Sequence, residues 1–203
     1  MKKGRAVGIL GGTFDPVHNA HIELAKQALE EISLEKVIFM PAYIPPHKQN
    51  KYGTADYFHR YNMVKCAIGH CSQFDVSQLE YELQGNSYTA RTLTILNEKY
   101  DDMVFIVGAD SYMALDTWYH PEVIFSKARI ACAVRDDVDL DALSAKSDYF
   151  MTKYNGKTDL LHMGRQDISS TMLREMILSG EDISDFVPLE VRNYIDGHGL
   201  YRS

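Results

Sequence analysis

Two glycines and two histidines stand close together in GILGGTFDPVHNAH, which covers residues 8–21. Gly11 and Gly12 allow the backbone to approach a ligand closely, and the Asp-Pro pair that follows them favours a turn. His18 and His21 are three residues apart at the start of a predicted helix, where N–H groups and the positive end of the helix dipole favour anions. These residue types at this spacing suit the binding of a phosphate group.

Two other interpretations of this segment stay open from its residues alone. The glycines could form a tight strand-to-helix turn, with the histidines as ordinary residues of the helix start. The histidines could also share one side of the helix and bind a metal, although no nearby carboxylate or thiolate completes a tetrahedral set. The segment is neither a Walker P-loop, because it lacks the Gly-Lys-Ser/Thr ending, nor a GxGxxG dinucleotide motif.

Strand and helix patterns alternate around and after this segment. AVGIL and KVIFM predict buried strands, and AHIELAKQALEEI between them has helical apolar spacing, which together indicate a parallel crossover unit. Further strands are predicted in FDVSQL, MVFIVG, RIACAV and LLHM, and further helices at 57–68, at 89–98 and in HPEVIFSKA, SSTMLREMIL and PLEVRNYI. This order predicts an α/β protein with a doubly wound, mostly parallel open sheet covered on both faces. We expect one domain over 1–203, with a C-terminal helical part from about 165 packed on it.

The composition is that of an ordinary globular chain. Of 203 residues, 45% are hydrophobic and 24% are charged, and the net charge of -7 disfavours nucleic acid and anionic membranes as partners. Cys66, Cys71 and Cys132 form no CxxC pair, so neither a disulfide framework nor a zinc knot is indicated. Without an apolar run of about 18 residues or a signal-peptide pattern, we expect a cytoplasmic protein.

GGTFDPVHNAH resembles the signature of the HxGH nucleotidyltransferases, and its form looks most like that of bacterial nicotinate-nucleotide adenylyltransferases. The resemblance continues in order through PPHK, NSYTARTL, VGADSY, TWYHPEVI, DISSTMLR and VRNYIDGHGLY. It implies a Rossmann-like nucleotidyltransferase fold and the transfer of AMP from ATP to nicotinate mononucleotide, giving deamido-NAD and pyrophosphate. ATP accompanied by Mg2+ is the expected form of the nucleotide, and the protein could be a monomer or a homo-oligomer.

The resemblance also implies roles for individual residues. His18 and His21 are the expected catalytic residues, as hydrogen-bond donors to the α-phosphate region. The residues expected to bind ATP are Gly11, Gly12, Thr13, Phe14, Gly108, Asp110, Arg135, Ser170 and Arg174. Those expected to bind nicotinate mononucleotide are Lys48, Thr89, Trp118 and Tyr119, with Trp118 stacked on the pyridine ring. No protein-held metal site is expected.

The residues agree with this chemistry but also allow simpler roles. A phosphate monoester has a second pKa of about 6, so the attacking oxygen is already ionised and needs no general base. Positioning and stabilisation of charge then remain as the catalytic task. Taken alone, however, Ser170 and Arg174 could be a helix cap and a solvated arginine, Asp110 could be a helix cap, Trp118 a core residue and Lys48 a solvated lysine.

Four positions depart from the family pattern. Asp136 and Asp137 follow Arg135 where relatives commonly have Pro-Gly, which could weaken a phosphate contact. Arg91 stands where the family has an acidic residue, and Ala20 stands where the superfamily often has glycine.

Two functional alternatives remain beside the expected activity. One is an adenylyltransferase that acts on nicotinamide mononucleotide, and another is a nucleotide-binding sensor without turnover. Phosphopantetheine as acceptor is disfavoured, because its enzymes lack a counterpart of TWY.

Overall fold

A computed structural model describes residues 5–45, 54–134, 139–164 and 167–202. The strands are β1 (Val7–Gly12), β2 (Lys36–Pro41), β3 (Phe74–Val76), β4 (Met103–Gly108), β5 (Arg129–Val134) and β6 (Thr158–His162). The α-helices are α1 (Asn19–Glu31), α2 (Tyr57–Ile68), α3 (Leu79–Leu83), α4 (Thr89–Leu96), α5 (Ala109–Met113), α6 (Pro121–Lys127), α7 (Leu140–Tyr154), α8 (Ser170–Ser179) and α9 (Leu189–His198). In the described ranges, no helix combines the length and the apolar character needed to cross a membrane.

The strands form one parallel six-stranded sheet in the order β3-β2-β1-β4-β5-β6. Ile9 of β1 is in register with Phe105 of β4, which is in turn in register with Ile130 of β5. These side chains are at most 3% exposed, as expected for strands that read as continuous apolar runs. The predicted α/β class with a parallel open sheet is confirmed. The strand order reverses between β1 and β4, and open sheets of this kind bind ligands beyond the carboxyl ends of the strands at such a point.

The chain divides into two compact units, and both β1 and β2 contain a boundary between them. The first unit comprises Met1–Gly11, Leu24–Ile38 and Tyr88–Gln166, and the second comprises Gly12–Glu23, Phe39–Ser87 and Asp167–Ser203. The expectation of a single domain over 1–203 stays a prediction.

The core of the first unit lies around β4 and β5. Tyr112 is completely buried, and its hydroxyl lies 2.9 Å from the Thr158 hydroxyl, so its polar atom is satisfied. Burial raises the pKa of the Cys132 thiol on β5 to about 12, as expected for an unreactive core cysteine. A Cβ at Gly8 would lie 2.8 Å from Cδ1 of Leu34, so a larger residue at this point of β1 would require that side chain to shift.

Aromatic packing and helix caps organise the second unit. The Phe39 ring contacts those of Phe14 and Phe74, at centroid distances of 5.8 and 5.4 Å. Asp56 caps α2 by accepting a 2.9 Å hydrogen bond from the His59 N–H. Helix α8 ends at Gly180, whose φ of 80° is typical of the left-handed residue that terminates a helix.

Most predicted elements are found, and the differences have identifiable causes. FDVSQL forms a strand only over Phe74–Val76, because Leu79 begins α3. The sequence patterns did not predict α7, whose buried residues are limited to Leu143 and Phe150, too few to give a clear apolar stripe. The short helices α3 and α5 were also not predicted, and α9 extends one residue beyond the expected end near Gly197.

Candidate active site

The turn after β1 holds a strained residue of the second unit. Phe14 has a φ of 53°, in the left-handed region that glycine normally occupies, and its ring is only 1% exposed. This conformation costs on the order of 1–2 kcal/mol for a residue with a side chain, so its surroundings must hold it. A Cβ at Gly12 would lie 2.8 Å from the Phe14 ring. Glycine at this position is therefore a requirement of the turn itself.

Side chains of α8 hold two consecutive carbonyls of the same turn. The Ser170 hydroxyl donates to the Pro16 carbonyl at 2.9 Å, and Nη1 of Arg174 donates to the Asp15 carbonyl at 2.7 Å. The Ser169 hydroxyl caps α8 by accepting from the Met172 N–H. A guanidinium carries five N–H donors, so Arg174 can hold this carbonyl and bind a phosphate at the same time.

Asp15 places a buried carboxylate behind the turn, with 2% of the residue exposed. Its Oδ1 accepts hydrogen bonds from the Tyr201 hydroxyl at 2.7 Å and from the Ala55 N–H at 3.0 Å. Its Oδ2 lies 3.8 Å from Nη1 of Arg174. Burial and the neighbouring Asp15 carboxylate raise the pKa of Tyr201, so this phenol stays protonated and remains a donor. The turn is thus connected to the end of the described chain.

The two histidines at the start of α1 are in direct contact. Their rings are stacked, with centroids 3.7 Å apart and planes inclined by 29°. The His18 N–H donates to Nδ1 of His21 at 3.3 Å, and the His18 carbonyl accepts from the His21 N–H at 2.9 Å. A neutral histidine that accepts at Nδ1 carries its proton on Nε2. The backbone therefore selects the His21 tautomer that can donate a hydrogen bond from Nε2.

The first N–H of α1 has a protein partner. The Asn19 N–H donates to the Phe186 carbonyl at 2.9 Å, and the Asn19 side-chain amide donates to the Asp185 carbonyl at 3.1 Å. These two donors are therefore occupied by protein carbonyls, although the sequence predicts that the N–H groups of this helix start bind phosphate. A phosphate bound here would need hydrogen bonds from other donors of the segment.

Several predicted ATP contacts belong to the first unit, at the carboxyl ends of β1 and β4. A Cβ at Gly11 would be 3.3 Å from the Phe105 ring, which makes an edge contact with Trp118 at 6.1 Å between centroids. Apart from Gly108 and its two chain neighbours, no described residue has an atom within 4 Å of a Cβ built on Gly108, and this residue is exposed. Asp110 is exposed in the first turn of α5. Packing against Phe105 therefore limits the size of the residue at Gly11, whereas packing sets no such limit at Gly108.

Stacked aromatic rings organise the predicted acceptor site of the first unit. The Tyr119 ring lies against Tyr88 at 4.4 Å, and its other contact is an edge interaction with His120 at 4.1 Å. Tyr88 immediately precedes Thr89, which begins α4. His120 is left-handed, with a φ of 51°, and Nδ1 of its ring lies 2.7 Å from a Glu122 carboxylate oxygen. The Tyr88 stack thus links the start of α4 to the segment that follows Trp118.

An ion pair supports the residues just before Trp118. The Lys146 ammonium on α7 donates to Asp116 Oδ1 at 2.8 Å, and the two side chains are 18% and 23% exposed. This hydrogen bond lowers the pKa of the Asp116 carboxyl. The Trp118 N–H donates to the Leu115 carbonyl at 3.2 Å, which closes the 3-10 turn Leu115–Thr117. Helix α7 therefore contributes to positioning this turn, a role that the sequence patterns do not indicate.

The predicted site residues form two groups, one in each compact unit. The second unit gathers Gly12, Thr13, Phe14, His18, His21, Ser170 and Arg174, and the first unit contains Gly11, Thr89, Gly108, Asp110, Trp118 and Tyr119. Lys48 and Arg135 lie outside the described residues.

Sequence reasoning missed three residues that hold these groups: Arg60, Tyr88 and Tyr201. Arg60 did leave a signal, because it lies with Tyr57, Val64 and Ile68 on the buried stripe of α2. A charge on an apolar stripe indicates a specific partner. The other two residues are aromatic and gave no comparable signal, since an aromatic residue on a helix or loop usually belongs to the core.

Comparisons with known proteins agree with the signature in the turn. The cytidylyltransferase-like family model matches residues 9–176. A protein of Lachnoclostridium phytofermentans named "Probable nicotinate-nucleotide adenylyltransferase" is 41% identical over 199 residues, which are 97% of this chain and 99% of the relative. A Clostridium beijerinckii protein of the same name is 40% identical over 201 residues, covering 96% of this chain and 98% of its own.

Solved structures show the same fold at lower sequence identity. The nicotinic acid mononucleotide adenylyltransferase of Plasmodium falciparum, complexed with NaAD, superimposes with a TM-score of 0.78 at 20% identity and covers 97% of each chain. The same enzyme complexed with APC gives a TM-score of 0.75 at 19% identity, again over 97% of each chain. By the near-complete match to the bacterial relatives, the chain belongs to the cytidylyltransferase-like family and, within it, to the nicotinate-nucleotide adenylyltransferases.

Proposed function

We propose that this protein transfers AMP from ATP to nicotinate mononucleotide, forming deamido-NAD and pyrophosphate in NAD biosynthesis. The observation that carries the proposal is the 41% identity over 97% of the chain to a relative that bears this activity in its name. The geometry of each unit supports the chemistry that the reaction needs.

The reaction places few demands on proton transfer. The phosphate monoester of the acceptor has a second pKa of about 6, so its attacking oxygen is ionised at neutral pH. It attacks the α-phosphorus of ATP, the bond from that phosphorus to the bridging oxygen breaks, and pyrophosphate leaves with the electron pair. The protein must align two anions and stabilise the charge that develops between them.

His18 and His21 are proposed as the donors to the α-phosphate and to its transition state. The hydrogen bond at Nδ1 of His21 leaves the proton on Nε2, as a donor to a phosphate oxygen requires. Stacking on His18 at 3.7 Å, together with the Phe14 edge at 5.0 Å, restricts the orientation of this ring. Donors that are oriented before the reaction stabilise developing charge without reorganisation.

The remaining ATP contacts are proposed on both units. In the second unit, Arg174 binds the polyphosphate with N–H donors beyond the one it gives to the Asp15 carbonyl. The Ser170 hydroxyl donates its single O–H to the Pro16 carbonyl, so its proposed role in ATP binding is to hold the turn in place. In the first unit, the open space at Gly108 suits close approach of a ligand. The role of Arg135 stays a prediction from the resemblance.

For nicotinate mononucleotide we propose recognition by the aromatic segment of the first unit. The Trp118 indole stacks on the pyridine ring, and the Thr89 hydroxyl and the backbone N–H near Tyr119 bind the carboxylate. The stack of Tyr119 on Tyr88 restricts the positions that this backbone can adopt. Lys48, which would meet the mononucleotide phosphate, stays a prediction from the resemblance.

Nucleotidyltransferases of this kind generally use a divalent metal, and we propose Mg2+ bound with ATP. Within the described ranges, no group of three or more His, Cys, Asp or Glu side chains is arranged to hold a metal ion. An ion carried by the phosphate oxygens and water fits these residues, with the exposed Asp110 carboxylate as the proposed protein contact. The ion would neutralise phosphate charge when bound.

The cytoplasm is the proposed location. Cys66, Cys71 and Cys132 are all free thiols, which is typical of a reducing compartment. The net charge of -7 disfavours nucleic acid as a partner, since a polyanion would meet overall repulsion.

The test compares acceptors in a pyrophosphate-release assay on the purified protein, with the dinucleotide identified by mass spectrometry. We expect deamido-NAD from nicotinate mononucleotide and a much lower rate with nicotinamide mononucleotide. Equal rates with the two acceptors would contradict the proposed specificity. Tight ATP binding with no pyrophosphate from either acceptor would instead support the sensor alternative.

A further inference from the structure

Arg60 is a buried cation whose hydrogen bonds to the described part of the chain all go to backbone carbonyls. It is 4% exposed, although it lies on a helix. Nη1 donates to the Thr13 carbonyl at 2.8 Å and to the Ala42 carbonyl at 2.7 Å. Nη2 donates to the Tyr43 carbonyl at 3.3 Å, and Nε donates to the Ala55 carbonyl at 3.2 Å.

The bond to Thr13 acts on the peptide unit next to the strained residue. The carbonyl of Thr13 and the N–H of Phe14 belong to one planar trans peptide, in which they point in opposite directions. A guanidinium that pulls this carbonyl toward α2 therefore aims the Phe14 N–H the opposite way. A hydrogen bond from a charged donor is stronger than one from a neutral donor, which suits it to hold the left-handed Phe14.

The other bonds reach two more backbone segments of the second unit. Ala42 and Tyr43 follow β2 directly, whereas Ala55 stands two residues before α2. The planar fork of arginine can bond several carbonyls in fixed directions, and a lysine ammonium cannot reproduce this arrangement. A single side chain thus connects the turn after β1 to both described ends of the connection between β2 and α2.

Burial of a cation is expensive unless it is well compensated. Desolvation lowers the pKa of Arg60, while the Asp15 carboxylate opposes this effect. A purely structural position of this kind is often served equally well by apolar residues. The guanidinium of Arg60 is nevertheless buried, and it bonds the backbone beside the predicted phosphate donors. This placement indicates that the backbone of the turn must be accurately oriented.

We propose that Arg60 is a positioning residue for adenylyl transfer, which holds the Thr13–Phe14 peptide in the orientation that the ATP α-phosphate requires. It does not touch either substrate. The inference rests on the proposed function, because its effect is measured in that reaction. Loss of the guanidinium should reduce turnover more than it weakens ATP binding, since the donors remain present but are less well aligned.

The experiment measures kcat and KM for Arg60→Ala and Arg60→Lys with ATP and nicotinate mononucleotide. For Arg60→Ala we expect kcat to fall by roughly 10^2-fold, the loss that follows a displacement of about 1 Å at a reacting centre, with KM for ATP changed by less than about threefold. Guanidinium chloride at low millimolar concentration should restore several-fold of the lost kcat by occupying the vacated cavity. Sodium chloride at the same ionic strength should not do so.

Arg60→Lys provides a second test of the positioning role that remains available if the alanine variant does not fold. We expect this variant to fold, as checked by circular dichroism, and to have a kcat between those of wild type and Arg60→Ala. Wild-type kcat in the folded lysine variant would overturn the proposal. So would a folded Arg60→Ala variant that retains kcat, or one whose lost activity is not restored by guanidinium.

A matched control separates this effect from general loss of an arginine. Arg192 on α9 is 39% exposed and pairs with Asp182 at 3.2 Å. Arg192→Ala should leave kcat and KM unchanged. The wild-type reaction is the reference for the proposed function itself: absence of deamido-NAD there refutes the function, whereas wild-type turnover with an unaffected Arg60→Lys refutes only the positioning role.

Discussion

The turn after β1 and the aromatic segment Trp118–His120 are held by different kinds of interaction. In the turn, partly buried polar side chains donate to carbonyls at 2.7–2.9 Å, as Arg174 and Ser170 do. In the aromatic segment, half-exposed rings stack, and Tyr119 is 53% exposed. Directional hydrogen bonds define positions closely, whereas ring contacts tolerate small shifts. We therefore expect the turn to govern turnover and the aromatic segment to govern acceptor binding.

The largest expected effect tests the turn. His18→Ala should lower kcat by roughly 10^2-fold or more while ATP affinity changes little, because a transition-state donor is lost. Steady-state kinetics with calorimetric titration of ATP measure both quantities. His162→Ala is the matched control, since this residue is exposed on β6, and it should behave as wild type. A raised KM with unchanged kcat would assign His18 to ground-state binding and remove the distinction between the regions.

The next prediction tests the aromatic segment. Trp118→Ala should raise KM for nicotinate mononucleotide by about 10-fold or more, because stacking of a base on an aromatic side chain contributes about 1–3 kcal/mol. Its kcat should change less than that of His18→Ala. Trp118→Phe keeps an aromatic face and should give an intermediate KM. Unaltered acceptor affinity in the alanine variant would remove the stacking proposal.

A smaller effect tests the carboxylate behind the turn. Tyr201→Phe removes the hydroxyl that donates to Asp15 at 2.7 Å and leaves a buried acceptor with one bond fewer. We expect a loss of about 2 kcal/mol in the free energy of unfolding, measured by urea denaturation. The ring of Tyr100 contacts Lys36 and Lys99, and Tyr100→Phe keeps that ring, so this control should be close to neutral. Equal stability of both variants would show that the buried bond is unimportant.

The smallest effect concerns the ion pair before Trp118. The pKa of Asp116 is lowered from 3.8 by its hydrogen bond to Lys146, so the pair stabilises the fold above that pH and loses its contribution as the pH falls through the lowered value. Asp116→Asn should cost about 1 kcal/mol or less at pH 7. The difference from wild type should shrink as urea denaturation is repeated below pH 4. A difference that is independent of pH would contradict the assignment.

Much of the fold could be predicted from local patterns. Continuous apolar runs predicted β1, β2, β4 and β5, and the apolar spacing that follows β1 predicted α1, because burial on both faces of a sheet or on one face of a helix leaves a direct periodicity in the sequence. Helix α7 escaped this reasoning, since only Leu143 and Phe150 are buried along its 15 residues.

The strand–turn–helix motif and the residue types able to bind phosphate follow from the amino-acid order alone, because these features depend on neighbours along the chain. The folded chain was needed to show that Tyr201 contacts Asp15 across 186 positions, that Arg174 contacts the same residue across 159, and that Arg60 contacts Thr13. Such contacts depend on how distant segments pack, and a lone tyrosine or arginine gives no periodic signal of its partner. The residue types that suit the chemistry could be predicted from the sequence, whereas the contacts that orient those residues could not.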